Sequence, residues 1–67
     1  MASKVATYAF TNKDDFENAK FKIRKELGDY SWDHGTTSDY YLLHILDECN
    51  DIKRAADICS GHGGKTY

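Results

Sequence analysis

VATYAFTNKDDFENAKFKIRKELG, residues 5–28, changes its hydrophobic period part-way along. From Val5 to Phe10 the residues alternate as a strand does. Val5, Thr7 and Ala9 share one face, and Ala6, Tyr8 and Phe10 share the other. After Phe10 the period becomes helical. Phe16, Ala19, Ile23 and Leu27 recur at three- and four-residue steps and form one apolar stripe. Thr11 or Asn12 offers a capping oxygen, and Asp14 and Asp15 sit in the first turn, where negative charge suits the helix dipole. Lys20, Lys22, Arg24 and Lys25 crowd the last two turns, and Gly28 suits the position just past a helix, where left-handed backbone is common. A strand leading into a helix places the chain in the mixed α and β class.

Downstream, Asp29-Tyr30-Ser31-Trp32-Asp33 alternates polar and aromatic residues and reads as a second strand, with His34-Gly35-Thr36-Thr37-Ser38 as a turn. Residues 39–46 admit two readings, because Tyr40, Tyr41, Leu42, Leu43, Ile45 and Leu46 are apolar and only His44 interrupts them. A central strand is apolar on both faces in this way. A helix continuing through Ile52, Ala56 and Cys59 would spread Tyr40, Leu43 and Leu46 around its circumference, with no layer to bury them. The strand is the better reading. Residues 48–60 then form a second helix with the stripe Ile52, Ala55, Ala56 and Cys59, capped by Asp47 or Asn50 and ended at Gly61 or Gly63.

The expected fold class is α+β, a two-layer βαββα order with both helices on one face of the sheet. The right-handed crossover rule makes the first and third strands parallel neighbours, with a hairpin adding the second. This order resembles a truncated ferredoxin-like domain whose last strand is missing or reduced to Lys65-Thr66-Tyr67. The resemblance is topological and implies a fold alone. Residues 1–60 are expected to form a single domain, and 61–67 a flexible glycine-rich tail or a short fourth strand.

A chain of 67 residues makes one small domain that buries only about 60% of its unfolded surface. Its formal charge of −2 argues against broad binding to nucleic acid, which needs several phosphate-facing cations. Charged residues at 30% and aromatics at 13% describe a globular chain rather than a disordered one. No run approaches the ~20 apolar residues that span a bilayer. The run after Met1-Ala2-Ser3-Lys4 is too short and too polar for a secretory leader. A cytoplasmic chain with two free thiols, and no membrane partner, is expected.

Candidate metal ligands are His34, His44, Cys49, Cys59 and His62. Cys59-Ser60-Gly61-His62 sets two zinc-compatible groups three residues apart, but the second half of such a site is absent. The cysteines read more simply as small buried apolar residues. Neither thiol suits catalysis. Cys59 lies near a helix C-terminus, and Cys49 sits beside Asp47, Glu48 and Asp51; both settings disfavour thiolate. The carboxylate pairs Asp14-Asp15 and Asp47-Glu48 read as helix-start residues. Gly61-His62-Gly63-Gly64-Lys65 follows a helix, whereas a phosphate loop precedes one. No enzymatic centre, metal or cofactor is expected.

Binding is the better-supported class. With Val5, Thr7 and Ala9 turned toward the helices, Ala6, Tyr8 and Phe10 would face outward. Tyr40, Leu42 and His44 or their alternates, with Tyr30 or Trp32, would join them. Such a face can stack nucleic-acid bases or bind protein, and the scarcity of Lys and Arg on the strands favours protein. Phe21 lies ~140° from Phe16 around the helix. It is flanked by Lys20, Lys22 and Lys25. The plain reading of that run is a solvated helix face; the sharper one is an aromatic anchor for an acidic partner. The expectation is a non-enzymatic protein-interaction module, such as a regulator or inhibitor of a larger complex. Its partner-binding residues would be Phe21, Lys20, Lys22, Lys25, Tyr8 and Phe10, and a second copy of the chain is among its expected partners. The alternative is a single-stranded nucleic-acid binder using the aromatic sheet face.

Overall fold

The alternating stretch forms strand β1, Lys4–Phe10, and the helical stretch forms α1, Lys13–Leu27. Asn12 caps α1: its Oδ1 accepts hydrogen bonds from the backbone N–H of Asp14 at 2.8 Å and of Asp15 at 3.2 Å. Two of the four N–H groups that a helix start leaves unpaired are thereby satisfied. Gly28 ends the helix at φ 94°, where a side chain would be strained. The chain continues through β2 (Trp32–Thr36), β3 (Tyr41–Leu46), α2 (Ile52–Gly61) and β4 (Lys65–Thr66). The computed structural model describes residues 3–29 and 31–67, so the expectations for Met1, Ala2 and Tyr30 fall outside the described residues.

Three expected boundaries move. β2 begins at Trp32 and runs through residues read as a turn, because it pairs with β3 from Trp32↔Ile45 to Thr36↔Tyr41. Its Asp33, His34 and Thr36 are exposed and carry no apolar signal. The turn itself lies at residues 37–40, where Thr37 Oγ1 accepts from the N–H of Asp39 and of Tyr40. α2 begins at Ile52, with Asp51 as its cap, accepting from Arg54 N at 2.9 Å. Its buried residues are Ala55, Ile58 and Cys59, whereas Ile52 stays 42% exposed.

The sheet has four strands in the order β2-β3-β1-β4, every neighbouring pair antiparallel. β1 and β3 are therefore adjacent but not parallel. The crossover through α1 makes β1 parallel to β2, and the hairpin then reverses the chain and inserts β3 between them. Lys65-Thr66 completes the sheet as β4, with Thr66 opposite Tyr8 and Lys65 opposite Ala9. The Tyr67 N–H extends this edge by donating to Thr7 O at 3.0 Å.

One core joins both helices to the sheet. Phe10, Leu43 and Ile45 pack with Phe16, Ala19 and Ile23 of α1 and with Ala55, Ile58 and Cys59 of α2, and Cys49 closes one end. The Phe16 ring stacks on Tyr41 at 5.6 Å and meets Phe10 edge-on at 6.0 Å. Ala6, Tyr8, Trp32 and Tyr41 lie partly buried against the same cluster. The facing expected for β1 is thus reversed: Ala6, Tyr8 and Phe10 turn into the core. Burial of two aromatic rings outweighs burial of Val5, Thr7 and Ala9. Among the described residues no helix is long and apolar enough to cross a membrane.

Candidate interaction surfaces

Six residues were the sequence candidates, and the fold separates them. Phe10 is 1% exposed and belongs to the core. Tyr8 is half-buried against it, and that burial, with Cys59 and Asp57 adding to it, raises the phenol pKa above its ordinary value. Neither ring stands on an outer face. Lys20 also turns inward: its Nζ lies 5.2 Å from the Phe16 ring centre and 5.8 Å from that of Trp32, and it pairs with Glu17 at 3.1 Å. Trp32, expected outward with the aromatic sheet face, packs against the core beneath this lysine.

Phe21, Lys22 and Lys25 remain together on the outer face of α1. Phe21 is 64% exposed. Two shallow grooves flank its ring, one of about 470 Å³ toward Arg24 and Asp29, the other of about 310 Å³ toward Asn18, Glu26 and His62. Lys25 lines both grooves and Lys22 the second. Neighbouring charges are engaged elsewhere, Arg24 with Asp29 at 2.7 Å and Glu26 with Arg54 at 3.0 Å. Among the described residues Lys22 and Lys25 make no ion pair, so their charge is available to a ligand.

The second surface is the other face of the sheet. The pairing register sets Thr7 beside His44, Ala9 beside Leu42, Asp33 beside His44, Gly35 beside Leu42, and Lys65 beside Ala9. Val5 falls at a bulge between the Lys4 and Ala6 pairs. None of these residues belongs to the core cluster. At one end Tyr40 and Tyr67 meet at 6.2 Å, ring edge to ring face, over a cleft of about 380 Å³ with Ala9, Thr11 and Lys65 in its lining. Tyr40 and Tyr67 are exposed, as is Val5. Strand parity, with the bulkier alternation assigned to the core, is the signal that identifies this face from sequence.

His44 sits within this second face, shielded by its neighbours to 8% exposure. Its Nδ1 shares a hydrogen bond of 2.9 Å with Thr7 Oγ1, and a Cβ on Gly35 would come within 3.2 Å of its Nε2. Burial pushes the imidazole pKa below its ordinary value; Lys4 and His34 push the same way, and Asp33 opposes them. The folded chain therefore binds this proton less readily than the unfolded chain. Stability is complete above the ordinary histidine range and declines as pH falls through that range toward the depressed folded value. The melting temperature is expected to drop between about pH 7.5 and about pH 5, near the reference histidine pKa of ~6.5. His44→Gln should flatten part of that drop, and an unchanged slope would assign it to other groups.

Cys49 and Cys59 are both free and buried, and burial pushes the Cys59 thiol up to about 12. No group of three or more His, Cys, Asp or Glu side chains gathers around a metal position among the described residues. Comparison of the chain with protein-family models, curated proteins and solved structures returned no match.

Proposed function

We propose that this chain is a non-enzymatic protein-interaction module with a ferredoxin-like arrangement, both helices packed on the core face of the sheet. The outer face of α1 is its docking surface for an acidic protein segment. The observation that carries this reading is Phe21, a large aromatic residue 64% exposed between two grooves and beside Lys22 and Lys25, which make no ion pair among the described residues. Leaving such a ring in water forgoes ~1.5–3 kcal/mol of burial. An apolar anchor beside cations suits a partner segment that presents an apolar pocket or side chain among carboxylates. A module of this kind acts by occupying a surface of a larger assembly, as a regulator or inhibitor does.

Selection of a random peptide library against the chain tests the reading. The recovered ligands should be enriched in Asp and Glu around an apolar residue, and they should bind more weakly as salt rises. Phe21→Ala and the double change Lys22→Glu/Lys25→Glu should each reduce binding at least about tenfold. Ligands whose affinity ignores all three changes would remove the α1 surface from the proposal. The second reading, a single-stranded nucleic-acid binder, is supported by Tyr40 and Tyr67 beside Lys65. It predicts that labelled oligothymidylate binds and that Tyr40→Ala weakens it, since base stacking contributes ~1–3 kcal/mol per ring. Asp33 on the same face and the net charge of −2 weigh against it.

A further inference from the structure

We infer that His62 belongs to the α1 docking surface and couples it to protonation, so that an acidic segment is held more tightly when the imidazole is charged than when it is neutral. The inference rests on the docking surface proposed above and adds to it a residue from a second element. Sequence spacing gives no signal for it, because His62 and Phe21 are far apart in the chain and meet only in the fold.

Two contacts bring them together. Arg54, in the first turn of α2, pairs with Glu26, in the last turn of α1. A Cβ on Gly63, just past α2, would lie 3.5 Å from Oδ2 of Asp15, in the first turn of α1. The start of α2 therefore meets the end of α1, and the segment after α2 meets the start of α1. His62 caps α2, its N–H donating to Ile58 O and Cys59 O at 3.2 Å each, so its backbone is fixed. Its half-buried side chain lines the groove of about 310 Å³ with Asn18, Phe21, Lys22, Lys25 and Glu26.

The charges that face the imidazole are those of α1. Glu26 is engaged by Arg54. Lys22 and Lys25 make no ion pair among the described residues, and neither does His62. Asp15, beside Gly63, lines neither groove. The groove thus presents two permanent cations and one conditional cation. An imidazole changes its charge between about pH 5 and about pH 8. Carboxylates laid against Lys22 and Lys25 occupy the groove that His62 lines, and an opposite charge within ~4–6 Å favours the protonated ring. Linkage is reciprocal: a ligand that favours the proton is itself favoured by the proton. Glutamates keep their charge above about pH 5, with a reference pKa of ~4.3, so affinity should rise as pH falls toward that limit. The other histidines do not imitate this effect. His34 and His44 lie on β2 and β3 and line neither groove. Protonation of His44 destabilises the fold, which would weaken binding as pH falls, the opposite sign.

Nuclear magnetic resonance titration of the isotope-labelled full chain tests the inference, with a synthetic peptide of one leucine between runs of glutamate as the probe. The amide signals of Phe21, Lys22, Lys25 and His62 should move together as peptide is added. The dissociation constant should fall about three- to fivefold from about pH 7.5 to about pH 5.5, the scale of one exposed charge pair. His62→Gln should make the two constants equal, and His62→Lys should hold the tighter value at both. Unchanged signals from β1 and β3 show that each variant is folded. Binding at Phe21 with the same constant at both pH values overturns the inference and leaves the α1 surface standing. A pH dependence that survives His62→Gln does the same. A peptide that moves none of the α1 signals at either pH overturns the inference and the docking surface together.

Discussion

Phe16→Ala is expected to destabilise the domain by ~3–5 kcal/mol, the usual cost of deleting a buried aromatic ring. Phe16 is 5% exposed, stacks on Tyr41 and meets Phe10 edge-on. Lys20 covers its outer side. Its removal would open a cavity bounded by both layers, and rigid neighbours on the sheet cannot collapse into it. A 67-residue domain has a total stability of only about 3–10 kcal/mol at ~0.05–0.15 kcal/mol per residue. The substitution should therefore leave much of the protein unfolded at room temperature. Phe21→Ala, on the solvent side of the same helix, should change stability by less than ~0.5 kcal/mol. Urea titrations of the two variants give the comparison. Equal destabilisation would place Phe21 in the core and end its role as an anchor.

Gly64→Ala is expected to cost ~1–3 kcal/mol, in the range of overpacked sites. A Cβ at Gly64 would lie 2.6 Å from Phe10 Cζ and 2.8 Å from the carbonyl oxygen of Cys59. Neither neighbour yields easily. Phe10 is 1% exposed, and the Cys59 carbonyl belongs to α2 and accepts the Gly64 N–H at 2.8 Å. Displacing this residue would pull Lys65-Thr66 away from β1 and undo the fourth strand. Gly61→Ala is the control, because nothing lies within 4 Å of its Cβ and its backbone is helical. That change should be neutral or stabilising by up to ~1 kcal/mol. Thermal melts of the two alanine variants decide the matter; equal midpoints would mean that the glycine-rich segment is not docked against Phe10.

The outer surface of α1 was legible from spacing. Phe21 lies off the stripe of Phe16, Ala19 and Ile23, and a helix turns by a fixed angle per residue, so its exposure followed without tertiary information. The sheet face was not legible in the same way. Both alternations of β1 contain apolar residues, and the side chosen for the core depends on which set of rings finds partners on the helices. Tyr8 and Phe10 won that competition, and Val5, Thr7 and Ala9 became the outer set. Lys20 shows the same dependence. Its place among the cations of α1 was clear, but its turn toward Phe16 and Trp32 required the ring that β2 supplies.

Sequence alone determined β1, α1 with a cap at Thr11 or Asn12, the stop at Gly28, and the existence of a second helix; it favoured a strand over a helix at residues 39–46, and the structure selects Asn12 as the cap and Tyr41–Leu46 as the strand. The sequence readings rest on local periods and on capping chemistry, which operate within a few residues. Tertiary structure decided the rest. The polar edge strand β2 exists because β3 supplies its hydrogen bonds. The antiparallel order β2-β3-β1-β4 exists because the hairpin reverses the chain before β3 enters the sheet beside β1. Lys65-Thr66 is a strand because Gly64 lets it pass close to Phe10 and reach the free edge of β1. Each of these features depends on a partner distant in the chain, and no local pattern encodes which partner that is.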